Sequence, residues 1–126
     1  MKKKILIVDD EPDILEFISY NLKKQGHEVF TANNGELGLQ SALNNRPNLI
    51  ISDILMPVMN GIVMCRKMRE KIELSETPFI FLSATNDDYQ VLSAMDAGAT
   101  HYVSKPISIS ALLNMVKALL GDHLHN

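Results

Sequence analysis

Short, unbroken apolar runs alternate along this chain with stretches in which apolar residues return every three or four positions. Ile5 to Val8 is a run of the first kind, rich in β-branched residues, and predicts a strand buried on both faces of a parallel sheet. Leu49-Ile50-Ile51 and Phe79-Ile80-Phe81-Leu82 repeat the pattern. Weaker versions stand at Val29-Phe30-Thr31-Ala32 and Tyr102-Val103, which makes five predicted strands. Between them, Pro12 suits a first helical turn, and Ile14, Leu15, Ile18 and Leu22 share one face before Gly26 stops the helix. Leu39, Ala42 and Leu43 mark a second, weaker helix after Asn33-Asn34-Gly35. A third spans Gly61 to Lys71, with Ile62, Cys65 and Met68 at helical spacing. Val91, Leu92, Met95 and Ala99 mark a fourth near Gly98, and Ser108 caps a fifth that carries Leu112, Met115, Val116 and Leu119. Strand and helix repeated in this way predict α/β architecture: a parallel sheet with helices on both faces, joined by right-handed crossovers.

Such a sheet collects its chemistry beyond the carboxyl ends of its strands. The first predicted strand runs into Asp9-Asp10, the third into Asp53, the fourth ends at Ser83, and the fifth is followed by Lys105-Pro106. Only the second ends without a reactive group, and in a flavodoxin-like, doubly wound (βα)5 sheet of order 2-1-3-4-5 that strand is the outer edge. The remaining four then bring three carboxylates, a hydroxyl and an ammonium to one rim. Two carboxylates about 4 Å apart repel by roughly 4 kcal/mol at an effective dielectric near 20, so three together raise a pKa or bind a cation. An all-oxygen donor set with few protein ligands suits Mg²⁺, with Mn²⁺ as a substitute. The ion and the Lys105 ammonium can neutralise an incoming phosphoryl group, a carboxylate can attack phosphorus to give an aspartyl-phosphate, and Ser83 can hydrogen-bond a phosphoryl oxygen. Taken singly, these residues have plainer readings: Asp9-Asp10 as helix caps, Asp53 and Ser83 as turn residues, Lys105 as a solvated lysine. Their coincidence at four strand ends favours the shared site.

Composition narrows the class. A chain of 126 residues with 46% hydrophobic content can bury one core. A formal net charge of −3, from 12 basic and 15 acidic residues, offers no positive excess for nucleic acid or a membrane surface. The apolar run after Lys2-Lys3-Lys4 stops at Asp9-Asp10-Glu11, short of the roughly seven residues a signal peptide needs. No stretch approaches the roughly 18 apolar residues of a membrane span. Cys65 is the lone cysteine; it reads as a small helical core residue, and a reducing, cytoplasmic setting is expected. Met56, Met59, Met64 and Met68 read as loop and core filler. One domain is expected over 1–121, with 122–126 a tail or the start of a linker in which His123 and His125 are solvated.

Four segments together resemble, in order and spacing, the receiver domains of two-component response regulators. They are Ile5-Leu6-Ile7-Val8-Asp9-Asp10-Glu11, Ile51-Ser52-Asp53-Ile54-Leu55-Met56-Pro57, Phe81-Leu82-Ser83-Ala84 and Gly98-Ala99-Thr100-His101-Tyr102-Val103-Ser104-Lys105-Pro106. The resemblance extends from Ile5 to about Leu120. It implies that Asp53 accepts a phosphoryl group from a phosphohistidine on a histidine kinase or phosphotransfer protein. It implies that Asp10 and Asp53 bind Mg²⁺ directly together with the Leu55 backbone carbonyl, and that Asp9 acts through a metal-bound water. Lys105 then contacts the phosphoryl group, and its bond to Pro106 is cis, otherwise a rare geometry. Ser83 and Tyr102 form a switch pair: the hydroxyl moves toward the phosphoryl group and the ring turns inward, reshaping the face of helix 4, strand 5 and helix 5 to control an effector protein or domain. The implied protein is a signalling module that catalyses its own phosphorylation and slow dephosphorylation without independent turnover. It binds neither nucleic acid directly nor membrane.

The chain departs from the family pattern in places. Leu55, two residues after the acceptor, cannot orient an attacking water, and Thr85 offers only a hydroxyl, so a slowly hydrolysed acyl phosphate is expected. Asn60 stands for the frequent Asp before Gly61, and Ile107 for the frequent aromatic after Lys-Pro. Ser110-Ala111-Leu112-Leu113-Asn114 lacks the charged residues that form dimer salt bridges in one large DNA-binding subfamily, so a phosphorylation-dependent dimer, left open, is not expected to be of that kind. Two enzyme classes fit poorly. An aspartate-dependent phosphatase lacks its second aspartate at Leu55, and a dinucleotide-binding domain would carry a Gly-rich turn where Asp-Asp-Glu-Pro stands. The complete acidic set also disfavours a degenerate scaffold.

Overall fold

The computed structural model describes residues 2–85 and 87–121, so the predicted tail and its two histidines lie outside the described residues. Five strands, β1 (Lys4–Val8), β2 (Glu28–Ala32), β3 (Leu49–Ser52), β4 (Phe79–Ser83) and β5 (His101–Ser104), form one parallel sheet ordered β2-β1-β3-β4-β5. Five helices connect and close them: α1 (Pro12–Lys24), α2 (Gly35–Asn45), α3 (Gly61–Arg69), α4 (Asp88–Ala97) and α5 (Ile109–Leu120). This is the expected flavodoxin-like (βα)5 order.

The unbroken apolar runs have the physical cause inferred for them. Alternate residues of each inner strand enter two separate cores, so the runs are apolar on both faces up to the serines that end β3 and β4. Leu6, Val8, Ile50, Phe79 and Phe81 pack on one face with Met64, Cys65 and Met68 of α3 and Ala94 and Ala97 of α4. Ile5, Ile7, Leu49, Ile51, Ile80 and Leu82 pack on the other with Ile18 and Leu22 of α1 and Leu112 and Val116 of α5. The Phe79 and Phe81 rings lie 4.8 Å apart between centroids, tilted by 51°. No described helix is long and apolar enough to cross a membrane.

Capping side chains start four helices promptly after the loops that follow the strands. Asn34, Asn60, Asp87 and Ser108 accept the backbone N–H of Leu37, Val63, Tyr89 and Ala111. The first helix begins at Pro12 as expected but without such a cap. Its N-cap is Glu11, which makes no side-chain cap bond, and the Asp9 carboxylate instead accepts the Glu11 amide. The third helix ends at Arg69, two residues before Lys71. Lys71 adopts extended backbone (φ −94°, ψ 127°) and opens a short 3₁₀ turn at Ile72–Leu74. The Arg69 guanidinium secures this end by donating to the carbonyls of Leu74 and Gly98.

Candidate functional site

Strand register builds the site. Val8 of β1 is paired with Ser52 of β3, so the residues that follow, Asp9 and Asp53, emerge side by side. The ladder continues one step further on each: the Asp9 N–H donates to the Ala32 carbonyl at 3.1 Å and the Asp53 N–H to the Val8 carbonyl at 2.9 Å. On the other side of the rim Ser83 pairs with Ser104, and the Lys105 N–H donates to the Ser83 carbonyl at 2.7 Å. Lys105 is thereby aimed back across the strand ends. Its Nζ lies 3.0 Å from Asp9 Oδ2, 3.2 Å from Asp53 Oδ2 and 3.4 Å from Glu11 Oε1. Asp9, Asp10 and Asp53 each offer a carboxylate oxygen within 4.8 Å of the others.

The three acids are held differently. Asp9 is buried, with Oδ1 accepting the Glu11 amide at 2.9 Å and Oδ2 facing Lys105. Burial pushes its carboxyl above the usual carboxylate range, outweighing the Glu11 amide and Lys105, which both favour the charged form. Asp53 Oδ1 accepts the Ile54 amide at 2.7 Å, which leaves Oδ2 on Lys105. Asp10 is exposed, and its carboxylate makes no hydrogen bond or ion pair among the described residues. Burial disfavours the Lys105 ammonium, yet its hydrogen bond to Asp9 and the charges of Asp53 and Asp9 more than compensate, so its pKa stands above the ordinary lysine value. The cluster therefore holds three hard anionic donors against one cation, a set that fits Mg²⁺ or Mn²⁺.

The loop after β3 is pressed into place by a glycine. A Cβ on Gly61 would overlap the Asp53 carbonyl oxygen and come within 2.9 Å of the Phe81 ring, so α3 can begin against the Asp53 backbone only because residue 61 has no side chain. Val58 in the same loop has φ 72°, a left-handed conformation that is rare for a β-branched residue. The Leu55 side chain is exposed.

Asp9, Asp10, Asp53 and Lys105 thus converge as the strand ends suggested, and the Lys105–Pro106 peptide is cis. Ser83 is buried at the end of β4, where its Oγ accepts the Thr85 amide at 3.4 Å. Tyr102 is half-buried against the α3–α4 core, and its hydroxyl donates to the Thr85 carbonyl, tying β5 to the loop before α4. Two features escaped the sequence reading: the Glu11 contact with Lys105 and the closeness of Gly61 to Asp53. The Asn60-Gly61 pair at a helix start was the available signal for the second.

Residues 5–117 match the family model described as the response regulator receiver domain. The chain is 36% identical over 120 residues to the alkaline phosphatase synthesis transcriptional regulatory protein PhoP of Bacillus subtilis (strain 168), covering 95% of this chain and 49% of that protein. It therefore spans about half the length of this curated relative. Among solved structures it is similar to the chemotaxis response regulator CheY4 of Vibrio cholerae, with a TM-score of 0.89 and 32% identity over 95% of this chain and 100% of that one. It is also similar to the signal receiver domain of a signal transduction histidine kinase from Syntrophus aciditrophicus, with a TM-score of 0.88 and 32% identity over 98% and 94% of the two chains. With the sheet order, the acidic rim and these matches in agreement, the chain belongs to the response regulator receiver domains of two-component systems.

Proposed function

We propose that residues 1–121 act as a phosphorylation-driven switch in which Asp53 accepts a phosphoryl group from a phosphohistidine on a histidine kinase or phosphotransfer protein. The observation that carries this reading is Lys105 Nζ lying within 3.2 Å of the carboxylates of both Asp9 and Asp53, beside the free carboxylate of Asp10. Asp10 and Asp53, with the Leu55 backbone carbonyl, would hold Mg²⁺ directly, and buried Asp9 would act through a water. When bound, the ion neutralises charge on the phosphoryl oxygens.

The Ile54 amide orients Asp53 through Oδ1, so Oδ2 is the attacking oxygen. The new bond joins Oδ2 to phosphorus as the bond from phosphorus to the donor imidazole nitrogen breaks, and the imidazole leaves with that electron pair. The Lys105 ammonium follows the negative charge from Asp53 to a phosphoryl oxygen. Ser83, with Tyr102, passes the change to the α4–β5–α5 face, where a partner protein or effector domain reads it. The module has no substrate turnover of its own, works in the cytoplasm, and makes no direct contact with nucleic acid.

Incubation with acetyl phosphate and Mg²⁺ tests the reading by intact mass. One added phosphate is expected, lost in Asp53→Ala and with chelator. An undiminished adduct in Asp53→Ala would overturn the assignment.

A further inference from the structure

Lys105 Nζ faces three carboxylates that are not equivalent. Asp9 and Asp53 belong to the cluster whose oxygens fit a divalent cation, whereas Glu11 lies outside it. The Glu11 side chain is 63% exposed, with Oε1 3.4 Å from Nζ. Its backbone is placed by its position as the N-cap of α1 and by its amide, which donates to Asp9 Oδ1, the carboxylate oxygen that does not face Lys105. The side chain thus approaches Lys105 from outside the cluster. An ammonium on Asp9 Oδ2 and Asp53 Oδ2 competes with a divalent cation for the same charge, and cations a few ångströms apart repel strongly.

We propose that Glu11 is a positioning residue for Lys105: it takes up the ammonium when a divalent cation enters the Asp9–Asp10–Asp53 cluster and keeps it at the rim, facing Asp53. The proposal rests on the metal-binding reading of that cluster. In this arrangement Lys105 needs only a small displacement to release the metal-binding oxygens, because its third partner is already within reach. Without Glu11 the ammonium has only water to replace the bonds it gives up, so it stays on Asp9 and Asp53 and opposes the ion.

A double-mutant cycle read by Mn²⁺ electron paramagnetic resonance titration, with Mg²⁺ competition, tests this on the full chain without any activity measurement. Glu11→Gln is expected to weaken Mn²⁺ binding about tenfold alone but only about threefold in a Lys105→Met background, the residue being the loss of one exposed negative charge. Lys105→Met alone tightens binding. Equal factors in both backgrounds would show a simple through-space charge and overturn the inference. Glu11→Asp keeps the charge but shortens the reach, and covers the case in which Lys105→Met does not fold. Most of the Glu11→Gln loss is expected, and wild-type affinity in Glu11→Asp would sink the idea. If Mn²⁺ fails to bind the wild-type chain at all, the metal-binding reading of the cluster falls and this inference with it.

Discussion

Replacing Gly61 by alanine adds a single methyl group, yet the structure places it against the backbone of the proposed acceptor. The new Cβ overlaps the Asp53 carbonyl oxygen and stands 2.9 Å from Phe81 Cε1. Neither neighbour is the free end of a flexible side chain, so either the start of α3 must move out or the Asp53 peptide must shift. Alanine in a helix gains about 0.5–1 kcal/mol over glycine, while overpacking of a close site costs about 1–3 kcal/mol or more. With backbone as the obstacle the cost falls in the upper part of that range, and once the helix gain is subtracted a net destabilisation of about 1–2 kcal/mol is expected. The functional effect is larger. A displacement near 1 Å at a reacting group costs on the order of 10²-fold in rate, so acetyl phosphate should label Gly61→Ala far more slowly than wild type. Gly38→Ala is the control, because its Cβ meets the Met64 sulfur at 2.7 Å and a Val8 methyl at 3.0 Å, and the thioether can move aside. Urea midpoints by circular dichroism and phosphorylation rates on phosphate-affinity gels give both quantities. If Gly61→Ala matches wild type in midpoint and rate, or Gly38→Ala loses as much, the reasoning is refuted.

Val58 is 74% exposed and left-handed, so Val58→Gly removes strain at the loss of little buried area. Taking about 1–2 kcal/mol for the strain against about 0.5–1 kcal/mol of glycine entropy, chemical denaturation should show a gain of about 0.5–1 kcal/mol. Cys65 is fully buried, with burial pushing its thiol up to about 11 from 9.0. It should resist thiol reagents at pH 8 until the protein unfolds, as a kinetic comparison with and without urea will show. Because the folded thiol ionises less readily than the unfolded one, folding binds a proton more tightly and stability falls as pH rises from about 9 toward 11, by up to roughly 3 kcal/mol. Melting curves of Cys65→Ala should lose this part of the slope and keep the fall above about pH 10.5 that the raised Lys105 pKa contributes. Leu55→Asn places an amide on an exposed side chain beside the acceptor and should speed decay of the acyl phosphate several-fold; an unchanged decay rate would show that position 55 does not control the attacking water.

Much of this protein was legible in its sequence because the relevant physics is local. A strand covered on both faces must be apolar throughout, and Ile5–Val8, Leu49–Ile51 and Phe79–Leu82 are, so the inner sheet announced itself. Ser108 caps α5 through an oxygen three residues from its donor, again a local event. Asp9, Asp10, Asp53 and Lys105 were found because a parallel α/β sheet sends all its strand ends to one rim, a rule needing only the positions of the strands. What the sequence could not decide were contacts between side chains brought together from different elements. Glu11 and Lys105 are separated by 94 positions, and their approach depends on the cap geometry of α1 and the turn of the chain after β5. Gly61 looked like an ordinary helix start, and only the packing of α3 on the sheet shows that a methyl there would strike Asp53. Likewise the early end of α3 follows from the extended backbone of Lys71 and the clasp of Arg69 on distant carbonyls. Sequence pattern determined which residues reach the rim; tertiary packing, through register, close approach and charge pairing, decided which of them touch.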